Sequence, residues 1–127
     1  MRIFSNDVSA IFIAAATGNV GIGTDNPTYK LSVNGNIHSK EVVVETGWAD
    51  YVFDKKYKLV PLDEVEKFIV QNKRLPGIPS AAEIETKGLH LADTQKKMME
   101  KIEELTLYII RQQKEIDALK KAVLKNN

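Results

Sequence analysis

Cysteine is absent from this 127-residue sequence, which excludes disulfide frameworks, thiolate nucleophiles and cysteine-ligated zinc in one step. Net charge is nearly absent too. Eighteen Lys+Arg stand against 17 Asp+Glu, a formal +1, so no broad positive field draws in nucleic acid or an anionic membrane. Long apolar runs are missing as well: the richest, Ala10 to Ala16, is about seven residues against the roughly 20 that span a bilayer. Its length suits a signal-peptide core, but Asp7 interrupts the approach and Thr17-Gly18-Asn19 opens a patterned segment, so Ile11-Phe12-Ile13 reads as a strand. Neither a nucleic-acid partner nor membrane insertion is expected. A mass of 14.2 kDa allows one ordinary domain and excludes a large multidomain enzyme. With 43% hydrophobic and 28% charged residues, the composition is that of a folded soluble protein.

What is present divides into three compositions, residues 1–47, 48–90 and 91–127. Of the seven glycines, all but Gly77 and Gly88 precede Trp48, in a stretch rich in Val, Ile, Asn, Thr and Ser. Val20 and Ile22 alternate with Gly21 and Gly23, a period-2 strand whose bare side lies against another backbone, and Asp25-Asn26-Pro27 makes a turn. Alternation resumes at Tyr29, Leu31 and Val33, breaks at Asn34-Gly35, and runs on through Ile37, Val42 and Val44, which predicts a hairpin at Asn-Gly. Strands this short are marginal alone, so the segment is expected to need further copies of itself.

In the middle segment Pro61 suits a first helical turn, Asp63 and Glu64 complement its positive end, and Leu62, Val65, Phe68 and Ile69 share a face. This helix should stop near Asn72. Leu75-Pro-Gly-Ile-Pro79 reads as a rigid apolar loop, and Ser80 with Glu83 has capping-box spacing for a brief helix that Gly88 ends.

In the last segment Leu91, Met98, Ile102, Leu105, Ile109, Ile116, Leu119 and Val123 recur at steps of 3 and 4, with Gln95 and Gln112 in the same register. That is a heptad seam of about five heptads, a coiled coil roughly 50 Å long. Ile102, Ile109, Ile116 and Val123 fall at a; Met98, Leu105, Gln112 and Leu119 fall at d. Ile at a with Leu at d favours two strands, but Met99 and Thr106 at e, with Tyr108 and Ala122 at g, leave flanks that three strands bury better. Gln112 is then a polar layer that fixes register at some cost in stability. Leu107 and Ile110 lie off the seam at f and b, and are expected to pack against the Leu62/Val65/Phe68/Ile69 face.

Chemistry-bearing residues are sparse. Gly21-Ile-Gly23 lacks the third glycine of a dinucleotide fingerprint, and Pro27 stands where a helix should begin. His38 and His90 have no second ligand at a metal-binding step. Ser39-Lys40, as neighbouring strand residues, would point to opposite faces. Asp50, Asp54, Asp63 and Glu64 read as solvated or helix-start charges rather than general acids and bases. Lys96-Lys97 and Lys120-Lys121 alternate with Glu100, Glu103, Glu104 and Glu115 as a solvated helix surface. Trp48, Tyr51, Phe53 and Tyr57 cluster closely; they read either as a small core where strands meet helices or as an aromatic platform for a receptor glycan. No enzyme, cofactor or metal is expected.

Gly18-Asn-Val-Gly-Ile-Gly-Thr24 with Pro27, then Tyr29-Lys-Leu-Ser-Val-Asn-Gly-Asn-Ile37, resembles the last β-repeat of phage-type tail fibres. The resemblance continues through Trp48-Ala-Asp-Tyr-Val-Phe53, Tyr57-Lys-Leu59, Pro61-Leu-Asp-Glu-Val-Glu66, Leu75-Pro-Gly-Ile-Pro-Ser80 and Glu100-Lys-Ile-Glu-Glu-Leu-Thr-Leu-Tyr108. Over roughly residues 9–124 the arrangement looks like the C-terminal region of tail-fibre or adhesin-like proteins of Bacteroidetes and their phages. The layout is also similar to fibres that end in the endosialidase-type intramolecular chaperone, a trimeric domain that assembles the fibre and cuts itself off. Those chaperones carry Ser-Asp followed by a basic Arg-Leu-Lys run; here the corresponding place reads Ala49-Asp50 with no such run, so the nucleophile is missing.

Together these readings imply an α+β chain in three parts: short strands ending an intertwined trimeric β-stalk over 1–47, a helical connector over 48–90, and a parallel trimeric coiled coil over 91–127. The expected role is structural, trimerising and registering the tip of a virion or extracellular fibre as a homotrimer joined to upstream fibre segments. A receptor-binding tip touching a host surface through Trp48, Tyr51, Phe53 and Tyr57, and a self-cleaving chaperone, are the alternatives.

Overall fold

The computed structural model describes residues 1–5, 8–48 and 50–125. Asp7 and Ala49, which carried the signal-peptide and cleavage-site readings, lie outside them. The fold is α+β, with a four-stranded mixed sheet followed by three helices. It divides into two compact units, Met1–Val43 and Val44–Asn127.

The first unit holds β1 (Arg2–Ser5), β2 (Val8–Ile13), β3 (Val20–Ile22) and β4 (Leu31–Val33), paired in that order. β1/β2 and β2/β3 are antiparallel and β3/β4 is parallel. The strand expected at Ile11-Phe12-Ile13 is the end of β2, whereas β1 gave no alternating signal in the sequence. Arg2 lies over the Phe12 ring at 5.0 Å and pairs with Asp25 at 3.3 Å.

The glycines of β3 and its exit sit where space is short. A Cβ on Gly21 would fall 2.1 Å from the Thr24 carbonyl oxygen, and Gly23 has φ +66° with Asn34 O at 3.3 Å from its Cβ position. The crowding at Gly21 comes from the chain's own tight turn after β3, and that at Gly23 from the Asn34 backbone at the end of β4. The Asn34-Gly35 hairpin does not form, and no strand follows it: residues 36–48 carry no regular structure. Asn34 is otherwise engaged. Its backbone N–H donates to Ile22 O at 2.9 Å and its side-chain amide to Gly23 O at 3.2 Å, which ties the end of β4 alongside β3. Parallel pairing therefore replaces the hairpin, and Ile37, Val42 and Val43 are left exposed.

In the second unit the helices fall where the sequence puts them. α1 spans Leu62–Asn72 after Pro61, and Lys73 ends it in the left-handed region at φ 55° while donating to Ile69 O at 2.8 Å. Leu75-Pro-Gly-Ile turns through Gly77 at φ 78°, with the Arg74 guanidinium donating to Ile78 O and lying 5.4 Å over Phe68. α2 spans Ala81–Lys87 with both halves of the Ser80/Glu83 capping box made, and Gly88 closes it at φ 77°. α3 runs unbroken from Leu91 to Lys125, 35 residues or about 52 Å.

Apolar burial within the single chain is slight. Among the described residues Val52, at 1% exposure, is the one buried hydrophobic side chain. The chain exposes 10763 Å², whereas two separate compact units of these lengths would expose about 8,000 Å² in all.

Candidate assembly surface and aromatic cluster

α3 presents its apolar stripe to solvent. At a positions Ile102, Ile109, Ile116 and Val123 are 45–63% exposed, and at d positions Met98, Leu105 and Leu119 are 56–66% exposed, with Gln112 exposed among them. An α-helix brings residues three and four apart onto one face, so these side chains form one stripe. Ile116, Leu119, Val123 and Leu124 line a shallow apolar groove along its last turns. Monomeric proteins tolerate scattered exposed apolar residues, but contiguous stripes of this kind mark contact surfaces.

The connector faces a different flank of α3 from the one the sequence led us to expect, across an open groove. Val60, Leu62, Val65 and Ile69 line a groove of about 250 Å³ together with Lys101, Glu104, Leu105 and Tyr108. Those α3 positions are g, c, d and g. Leu107 is half-buried and Ile110 is 44% exposed, so Ile110 is not the partner of the α1 face. The reason is polar anchoring, for the Tyr108 hydroxyl donates to Val60 O at 2.6 Å and fixes the approach to α1 on the g side.

The aromatic residues separate into two pairs. Tyr51 and Tyr57 have ring centroids 6.0 Å apart and turn their hydroxyls onto α3. Tyr51 donates to Glu100 and Tyr57 to Glu104, and Lys101 Nζ joins the two carboxylates at 3.0 and 2.8 Å. Trp48 and Phe53, at 57% and 58% exposure, stay open to solvent. The four rings therefore do not make a shared core; the buried side chain in this stretch of sequence is Val52.

Glu100 and Glu104 also depart from the solvated surface expected of them. Glu104 is buried at 9% exposure, where its carboxylate accepts from the Tyr57 hydroxyl and Lys101 Nζ. Burial and the Glu104 hydrogen bond push the Tyr57 phenol well above its ordinary range, and the Glu100 hydrogen bond raises Tyr51. For Glu100, burial opposes ionisation, but hydrogen bonds from Tyr51 and Lys101 outweigh it and hold the carboxyl below its usual range. This Tyr–Glu–Lys arrangement was missed in the sequence. The available signal was the stack of Glu100, Glu104 and Tyr108 at four-residue steps.

His38, Ser39 and Lys40 are exposed on a segment without strand structure, so the opposite-face argument against a Ser-Lys pair does not apply there. Among the described residues no three His, Asp or Glu side chains gather as metal ligands, and no helix is long and apolar enough to cross a membrane. A scan against family models, a search of curated proteins and a search of solved structures each give no match to this chain.

Proposed function

We propose that the chain is a structural assembly tip: three copies join in parallel along the α3 seam and hold their weak strand segments together as the end of a fibre. The observation that carries this reading is the uncovered stripe from Met98 to Val123, seven apolar side chains each 45–66% exposed on one 35-residue helix. Fully burying such a side chain contributes about 1.5–3 kcal/mol, and association along the stripe would supply it. Three linked helices raise the effective concentration of the short strands that precede them in the chain, so assembly starts at α3 and proceeds toward the N-terminus. The resemblance to tail-fibre and adhesin-like C-terminal regions supports a place at the tip of a virion or extracellular fibre.

The test is Ile109→Asp, which puts a ring of carboxylates at the centre of the seam, against Lys114→Asp on the outer face. Sedimentation should show single chains for the first and an intact trimer for the second. Equal masses for both variants would overturn the reading.

The exposed Trp48 and Phe53 favour a second reading, in which the same tip touches a receptor. Binding to host-surface glycans that Trp48→Ala removes without changing the assembly's mass would establish it. Self-cleavage gains no support, since Ala49 offers no nucleophile.

A further inference from the structure

Leu105 belongs at once to the seam and to the groove beneath α1, and the helical wheel fixes which flank the groove occupies. Lys101 and Tyr108 stand at g and Glu104 at c, so α1 is held on the g/c flank. Met99 and Thr106 at e, and Ile110 at b, lie on the opposite flank, with Ile110 about 200° around the helix from Tyr108. Ile110 is left 44% exposed.

In a parallel coil the g flank of each helix faces the e flank of its neighbour. The charges agree with that orientation: Glu115 is at g and Lys120 at e, five residues on, the spacing at which g meets e of the next helix. Applied to the turns below, the same geometry sets the e/b flank of a neighbouring copy against the groove.

We propose that the α1/α3 groove is closed by a second copy of this chain, with Ile110 of the neighbouring copy seated against Leu62, Val65 and Tyr108. This rests on the parallel coiled-coil reading and adds to it that α1 bridges two chains. It accounts for a groove of about 250 Å³ left open in one chain, for Leu62 at 47% and Ile69 at 39% exposure on the face that α1 turns toward the groove, and for an isoleucine at 44% exposure off the seam.

Because the chain has no cysteine, introduced thiols report contacts without background. Leu62→Cys/Ile110→Cys and, separately, Val65→Cys/Thr106→Cys should form interchain disulfides on mild oxidation, giving a denatured species with the chain number of the native assembly. The single-cysteine variants should stay unlinked. An assembly of normal mass that neither pair cross-links would overturn the bridge and leave the coiled coil standing. Monomeric wild-type protein, or a disulfide confined to one chain, would overturn it as well, the former together with the coiled-coil reading.

Discussion

Gly21 and Gly35 look equally important as letters, yet their surroundings separate them. A methyl on Gly21 would meet the Thr24 carbonyl at 2.1 Å, whereas a Cβ on Gly35 meets nothing within 4 Å. Gly21→Ala should cost about 1–3 kcal/mol through overpacking, and Gly35→Ala should stay within about 0.5 kcal/mol; hydrogen exchange of the β2 and β3 amides checks both. Tyr57 offers a test by pH. Its neutral form is favoured in the fold, so the stabilisation is complete below the ordinary tyrosine pKa of about 10 and is lost as pH rises beyond it. Thermal melts followed by circular dichroism should therefore lose more stability between about pH 8 and about pH 11 in the native protein than in Tyr57→Phe. At the seam, Gln112→Leu should raise thermal stability while loosening the choice of oligomer. A less stable mutant that remains one species would contradict the polar-layer role.

Each helix was legible because its signals are local. Pro61 with Asp63 and Glu64, Ser80 with Glu83, and the 3-4 spacing after Leu91 each lie within a few turns; α1 and α2 stop at Asn72 and before Gly88 as read, and α3 starts at Leu91. Among the strands, the Asn-Gly hairpin signal failed because neither Asn34 nor Gly35 takes the positive φ such a turn needs, and Asn34 instead donates to the Gly23 carbonyl, a partner distant in sequence. Pairing across eleven residues leaves no periodic trace. The connector's seat failed likewise: hydrophobic spacing marks Ile110 and Leu107 as anomalous but carries no sign of the Tyr108 hydroxyl bond to Val60 that decides which flank α1 takes. At this scale the seam makes its own prediction. Ile116→Ala should destabilise the protein by about 2–5 kcal/mol per chain if the side chain is buried between helices, but by no more than about 0.5 kcal/mol if it stays exposed. Denaturant unfolding at fixed protein concentration distinguishes the two.

For the whole molecule the decisive property is what one chain leaves uncovered. A sequence that is 43% hydrophobic buries one apolar side chain among its described residues and leaves the α3 stripe from Met98 to Val123 in water; under the proposed assembly, stability should therefore rise with concentration. Absolute mass by light scattering over a concentration series tests this most directly. The assembly proposed here requires a constant mass near three times 14.2 kDa down to the dilution at which the chains unfold. A dimer would contradict the three-stranded arrangement, and a stable folded monomer would contradict association along α3 altogether.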